Sequence, residues 1–75
     1  MFEQLKEMIM NYVDVQEDMI TPDARFIEDL HFNSYDFMSF LGEAEDTFEI
    51  TVDESDVLEL RTVGEAAAYI EKLKG

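Results

Sequence analysis

The sequence contains no cysteine, no tryptophan, one proline and three glycines. Without cysteine the chain can form neither a disulfide framework nor a thiolate metal site, so any thiol chemistry must come from an added cofactor. No apolar run is long enough to span a bilayer, and the N-terminus lacks the basic-then-apolar pattern of a secretory signal. A cytoplasmic protein without membrane association is therefore the expectation.

Basic residues are also scarce, since 5 Lys and Arg stand against 19 Asp and Glu and give a net charge of −14. A potential of this sign argues against binding to nucleic acid or to anionic lipid. It favours transient docking on basic patches of partner proteins, where charge steering raises the association rate. The alternative is that the charge only keeps the protein soluble.

The length of 75 residues predicts one small domain over residues 1–75. A domain of this size buries only about 60% of the surface that its unfolded chain exposes. It leaves no room for an enzyme cleft between domains, and we expect a monomer.

The first part of the chain predicts a helix followed by a long loop. Apolar residues at three- and four-residue steps indicate an amphipathic helix that ends near Asp14, with the face Phe2, Leu5, Ile9, Tyr12 and Val13. This periodicity fades from Val15 to Phe32. A loop of that length in a small domain must be held by side chains that reach the core, and the candidates are Phe26, Ile27 and Leu30.

A second amphipathic helix is predicted from Ser34 to about Phe48, with its apolar face formed by Phe37, Met38, Leu41, Ala44 and Phe48. Asn33 suits the N-cap position, and Asp36 stands where a capping-box acid would. Ser34 then occupies the first helical position, exposed at the positive end of the helix dipole, where a phosphate ester would be stabilised.

Two further helices are predicted after this one. Asp53 can cap a short helix that runs to about Leu60, and Thr62 with Glu65 forms a capping box that opens the last helix. The inward face of that last helix is Val63, Ala66, Ala67, Ile70 and Leu73. The acids around Asp53 lack the glycine and the spacing of an EF-hand, so no metal site is predicted. The fold class is all-α, a small bundle of three main helices plus one short helix.

Three sequence blocks carry a family resemblance. Asp29-Leu30-x-x-Asn33-Ser34-Tyr35-Asp36 resembles the Asp-Leu-Gly-x-Asp-Ser-Leu-Asp signature of acyl carrier proteins. Phe48-Glu49-Ile50-x-Val52 is similar to the Phe-x-Ile-x-Ile that closes the family's second helix. Thr62-Val63-Gly64-Glu65, followed by Ala67 and Ile70, resembles the start of its last helix. The blocks keep the family's order and spacing across the C-terminal two thirds of the chain.

The resemblance implies that Ser34 carries a 4′-phosphopantetheine arm, whose thiol holds acyl groups as thioesters. No histidine or lysine base is placed beside Ser34 by the sequence, so a partner phosphopantetheinyl transferase must activate the serine and deliver the arm from coenzyme A. The arm then presents its cargo to acyl-loading and acyl-processing enzymes with basic docking patches. The chain is expected to be a carrier and not an enzyme.

The second helix is the expected recognition surface for those partners. It is acidic, and no Lys or Arg lies between Asn33 and Glu49. At least one of Phe37 and Phe40 is expected to be partly exposed beside Ser34, the alternative being that both are core. The predicted docking residues are Asn33, Tyr35, Asp36, Phe40, Glu43 and Asp46.

Several positions depart from the family pattern. Asn33 replaces an aspartate, Tyr35 replaces a leucine, and Ser39 stands where many fatty-acid carriers have glutamate. Gly42 in mid-helix costs about 1 kcal/mol relative to alanine and indicates either close packing or a softened helix. His31, the only histidine, is expected to lie on the loop surface. These departures point to a specialised free-standing carrier with dedicated partners.

Two other functions stay open. A peptidyl or amino-acid carrier would share the arm and the fold and differ only in its cargo. An unmodified acidic interaction module would use the same bundle without the arm. Cargo and pathway are not legible in the residues.

Overall fold

A computed structural model describes residues 1–74. The helices are α1 (Phe2–Ile9), α2 (Ser34–Phe48), α3 (Glu54–Val57) and α4 (Val63–Lys74), with a 3-10 helix at Glu17–Met19. Within these residues the only β pairing is an isolated bridge between Arg25 and Thr62. The predicted class of three main helices plus one short helix is confirmed.

Contacts at the helix ends give the relative directions of the three main helices. The amino group of Met1, before α1, lies 3.7 Å from the Glu71 carboxylate near the end of α4, so α1 and α4 run antiparallel. The ammonium of Lys74 lies 5.2 Å from the ring centre of Phe48, which brings the C-terminal ends of α2 and α4 together. By these contacts α1 ends at the same end of the bundle at which α2 begins, and the long chain segment connects these two points.

A cluster of aromatic rings fills the core where this long segment meets α2. Phe26 lies 4.9 Å from Phe37 and 5.5 Å from both Phe32 and Phe40, measured between ring centres. Tyr12 adds an edge-on contact to Phe40 at 6.0 Å. Ring pairs at these separations stabilise beyond the apolar area that they bury. The segment before α2 is thus fixed by packing, although it is irregular.

The ends of α1 and α3 differ from the prediction. The first helix ends at Ile9 and not near Asp14, because the amides of Asn11 and Tyr12 donate to carbonyls three residues back, which tightens the chain into turns. The third ends at Val57 and not at Leu60, since the amides of Glu59 and Leu60 also bond three residues back.

Outside α2, two predicted core residues are exposed. Phe26 and Leu30 anchor the long loop as predicted and are at most 1% exposed, but Ile27 is 53% exposed. The turn from Arg25 to Leu30 places residues 26 and 30 on one side, and Ile27 lies off that side. Leu73, predicted to face inward near the end of α4, is 41% exposed.

The capping box that opens α4 forms as predicted. The Glu65 amide donates to the Thr62 hydroxyl at 3.1 Å, and the Thr62 amide donates back to the Glu65 carboxylate at 3.0 Å. The Arg61 amide also donates to that carboxylate. These backbone hydrogen bonds, from Thr62 first and then Arg61, lower the pKa of Glu65. The start of α4 is therefore fixed, and with it the loop that pairs with Thr62.

Candidate functional site

Ser34 is the first residue of α2, and its neighbours hold the helix end open toward solvent. Asn33 has an extended backbone and its side-chain oxygen accepts a hydrogen bond from the Asp36 amide at 2.7 Å, which confirms the predicted N-cap. Ser34 and Tyr35 are both exposed. Within residues 1–74 their amides have no hydrogen-bond partner, so the positive helix end faces outward beside the Ser34 hydroxyl.

The Asp29-Leu30 pair of the motif positions this helix start. The Asp29 carboxylate accepts from the Arg25 amide at 2.9 Å, and the amides of Asp29 and Leu30 both donate to the Arg25 carbonyl at 3.0 Å. The Leu30 side chain is fully buried. Asp29 therefore closes the turn that precedes the site, and Leu30 fixes it to the core.

His31 connects this turn to the helix in a left-handed backbone conformation, with φ at 62°. Residues with a side chain rarely adopt this backbone conformation, whereas glycine adopts it easily. The signature has glycine at this position, which was the signal that could have predicted the conformation. The side chain is exposed, as expected, and within residues 1–74 no hydrogen bond joins it to Ser34.

The Ser34 hydroxyl has no activating partner in this arrangement. Among residues 1–74 its oxygen makes no hydrogen bond to any side chain that could act as a base. A serine without such a base is a weak nucleophile. The site can therefore receive a group that another enzyme transfers, but it lacks the geometry to drive that transfer.

The predicted docking residues differ in how far they reach solvent. Tyr35 is 79% exposed and Asp46 and Asn33 are exposed, whereas Asp36 and Glu43 are half-buried. Glu43 accepts a hydrogen bond from the Tyr12 hydroxyl at 2.7 Å. That bond, with burial and the nearby Asp36 charge, raises the pKa of Tyr12 to about 12. Glu43 thus ties α2 to the turn that follows α1.

The expectation that Phe40 is an exposed docking anchor is wrong. Phe40 is 0% exposed and Phe37 is 9% exposed, so neither ring lies on the surface beside Ser34. The rings of Tyr12, Phe26 and Phe32 surround Phe40 at 5.5–6.0 Å. These rings come from the long segment before α2, which the spacing within α2 does not reveal.

Met38 is an exposed apolar residue of α2, whereas a phenylalanine of this helix was expected to be exposed. It belongs to the predicted apolar face of α2 but is 52% exposed. It borders a groove of about 160 Å³ between α2 and the segment that contains α3, lined by Met38, Leu41, Gly42, Glu45, Val52, Glu54 and Val57. Gly42, the glycine in the middle of α2, was the one sequence signal for this groove.

The charged side chains of α2 and α3 are all acidic. No Lys or Arg lies between Phe26 and Leu60, a stretch that contains all of α2 and α3. Among residues 1–74 no group of three or more acidic or histidine side chains could hold a metal ion. In the same part of the chain no helix is both long and apolar enough to cross a membrane. The structure therefore presents an exposed serine on an acidic surface.

Known proteins share this sequence pattern and this fold. Residues 3–70 match the family described as "Phosphopantetheine attachment site". Acyl carrier proteins of Akkermansia muciniphila and Borreliella burgdorferi are each 36% identical to the chain, over 97% and 99% of its length and 91% and 92% of theirs. A solved structure of an acyl carrier protein from Enterococcus faecalis matches with a TM-score of 0.83 at 29% identity, covering 96% of this chain and 91% of that one.

The matching family model, the relatives and the shared fold place the chain among phosphopantetheine-binding carriers. The chain belongs to the acyl carrier protein family. It is a carrier without catalytic activity of its own, and its prosthetic group is 4′-phosphopantetheine. The residues present fit that group, since Ser34 is exposed at a helix start whose first amides are free.

Proposed function

We propose that Ser34 is the attachment point of the 4′-phosphopantetheine arm and that the arm holds acyl groups as thioesters. The observation that carries this proposal is the exposed Ser34 hydroxyl at the capped start of α2, inside the matching motif. The chain has no cysteine, so a thioester requires the thiol of the arm.

The attachment reaction is a phosphoryl transfer that a phosphopantetheinyl transferase catalyses. The Ser34 oxygen attacks the phosphorus that bears the pantetheine in coenzyme A, and the bond from that phosphorus to the nucleotide phosphate breaks. The nucleotide leaves, and the serine proton passes to a base on the transferase. Ser34 requires that base, because it makes no hydrogen bond to one within residues 1–74.

Partner enzymes are proposed to dock on α2 and the exposed residues around Ser34. Family membership implies partners that load and process the cargo. The exposed acids, with Asp46 as the clearest case, favour partners with basic patches and a fast, salt-sensitive association. Tyr35 supplies an exposed aromatic ring next to the modified serine, in place of the buried Phe40. A cytoplasmic location and a monomeric state remain predictions.

A specialised pathway is part of the same proposal. Asn33, Tyr35, Ser39 and Gly42 depart from the usual family residues, and all four lie at or within α2, where partners are proposed to bind. Acyl cargo is favoured weakly by the strong acidity of the chain. A peptidyl or amino-acid carrier would be loaded by an adenylating enzyme and would show an amino acid on the arm.

The attachment is tested by incubating the protein with coenzyme A and a broad-specificity phosphopantetheinyl transferase, followed by intact mass spectrometry. The wild type should gain the mass of one arm, and Ser34→Ala should gain none. Ser39→Ala is the matched control, because Ser39 is a second serine of the same helix and should leave the mass gain intact. A wild type that gains no mass with several transferases would favour an unmodified interaction module.

The cargo is read by intact mass spectrometry of protein purified from its native host. An acyl mass on the arm that hydroxylamine removes identifies a thioester and supports acyl carriage. An amino acid released in the same way indicates the peptidyl alternative. If a binding partner is retained equally by wild type and Ser34→Ala, and neither carries an arm, the carrier function is wrong.

A further inference from the structure

The glycine in the middle of α2 lies where neither packing nor backbone conformation requires it. A Cβ built on Gly42 would meet no atom within 4 Å, and the residue lies inside a regular helix. Glycine at such a place costs about 1 kcal/mol relative to alanine. The close packing considered from the sequence is therefore absent. The missing side chain instead leaves a depression on the protein surface, which we call the Gly42 depression.

The Gly42 depression is part of the groove of about 160 Å³ described above. Its apolar lining comes from Met38 and Leu41 on α2 and from Val52 and Val57 on the opposite side. The Glu45 carboxylate accepts a hydrogen bond from the Val52 amide at 2.8 Å, which fixes the two sides relative to each other. An apolar cavity of about 150 Å³ holds one benzene molecule. The groove that contains the depression therefore has room for one aromatic side chain.

The Gly42 depression lies close enough to Ser34 to be covered by an enzyme that binds at Ser34. Gly42 is eight residues after Ser34 on the same helix, a distance of about 12 Å along the axis. A standard protein interface covers about 800 Å² on each partner, which corresponds to a patch roughly 16 Å in radius. An interface centred on Ser34 thus includes the Gly42 depression.

The charge around the depression selects the kind of partner. Glu45 and Glu54 line its rim, and no Lys or Arg lies between Phe26 and Leu60. A partner that fits has an apolar side chain among Lys and Arg residues, because an acidic rim penalises a partner with like charge. Aromatic side chains in well-packed pockets are typical anchors of such interfaces.

We propose that the Gly42 depression receives one aromatic side chain of the basic phosphopantetheinyl transferase that modifies Ser34. This inference rests on the proposed function, and it makes Gly42 a residue that determines partner specificity. A side chain at position 42 fills the depression and excludes the partner's ring. The helix itself accepts a Cβ at position 42, since no atom lies within 4 Å of it.

The test uses Ser34→Ala protein, so that binding is measured without the transfer reaction. The dissociation constant of the transferase is determined for this protein and for the same protein with Gly42→Ala or Gly42→Leu. We expect Gly42→Leu to weaken binding about tenfold and Gly42→Ala to weaken it less. The control is Thr47→Leu, an exposed position of α2 that points about 140° away from Gly42. It should leave the dissociation constant unchanged.

Three outcomes would overturn this inference. None of them would overturn the proposed function, which the mass measurement on the wild type tests separately. One is an unchanged dissociation constant with Gly42→Leu. Another is an absence of transferase binding to Ser34→Ala protein that is otherwise folded. A third outcome uses Gly42→Leu in protein that retains Ser34: if the substitution changes the rate of thioester hydrolysis in the acylated protein but leaves transferase binding unchanged, the depression serves the cargo. Circular dichroism melts of each variant verify that the bundle is folded.

Discussion

Gly64 lies directly against Pro22, at the contact between the long loop and the start of α4. The Gly64 amide donates to the Pro22 carbonyl at 2.9 Å, and a Cβ on residue 64 would lie 2.9 Å from that same oxygen. It would also lie 3.3 Å from the Pro22 Cβ. This approach is possible only because residue 64 has no side chain. The contact anchors the loop that leads toward Ser34.

Gly64→Ala is expected to destabilise the protein by about 1–2 kcal/mol. The added methyl group meets backbone, which cannot move aside as a flexible side chain would, and overpacking of this kind costs about 1–3 kcal/mol. The gain in helix propensity offsets part of that cost. Urea unfolding measures the change. The control is Gly42→Ala, which meets nothing and should stabilise by up to about 1 kcal/mol. Equal effects of the two substitutions would contradict the described contact.

Features that depend on neighbouring residues were the most predictable from the sequence. The caps of α2 and α4 involve hydrogen bonds between residues three apart, as between Asn33 and Asp36 or Thr62 and Glu65. Residue types at that spacing determine such bonds directly. The start of α2, and hence the position of Ser34, could be predicted for this reason.

Features that depend on distant residues could not be predicted in the same way. The burial of Phe40 results from rings of the long segment before α2, with Phe26 at 5.5 Å and Phe32 at 5.8 Å. The groove beside Met38 requires α3, whose placement depends on contacts with α4. Helical spacing shows which residues share a face and leaves open what covers that face.

His31→Gly is expected to stabilise the protein by up to about 1 kcal/mol. A residue with a side chain at φ 62° carries a conformational cost of about 1–2 kcal/mol, which glycine avoids. Part of the gain is lost because glycine makes the unfolded chain more flexible. Chemical denaturation of the two proteins measures the difference. His31→Ala is the control and should give no such gain, because alanine pays the same cost. A loss of stability with glycine would show that the His31 side chain has a stabilising contact.

Tyr12→Phe is expected to lower the free energy of unfolding by about 1 kcal/mol at neutral pH. The variant loses the hydrogen bond from the tyrosine hydroxyl to Glu43, at 2.7 Å. Tyr35→Phe is the matched control, because Tyr35 is 79% exposed and its hydroxyl makes no hydrogen bond within residues 1–74. It should leave the stability unchanged.

The same tyrosine makes the stability depend on alkaline pH. The pKa of Tyr12 is raised to about 12 in the folded protein, from the ordinary value of 10.0. The contribution of its hydroxyl is therefore complete below pH 10 and is lost as the pH rises to about 12. Unfolding curves across this range should converge for wild type and Tyr12→Phe. A constant difference between them would contradict the Tyr12–Glu43 bond as its source.

Tyr69→Phe is expected to loosen α3 while leaving α2 unchanged. A helix of four residues is unstable alone, and α3 depends on its anchors. The Tyr69 hydroxyl donates to the Asp56 carboxylate at 2.8 Å and accepts from the Asp53 amide at 3.2 Å. Loss of both bonds costs about 1 kcal/mol, so amide hydrogens in α3 should exchange about fivefold faster. Hydrogen exchange read by NMR separates α3 from α2, and Tyr35→Phe again provides the control. Equal acceleration in both helices would indicate global destabilisation and would contradict a local anchoring role for Tyr69.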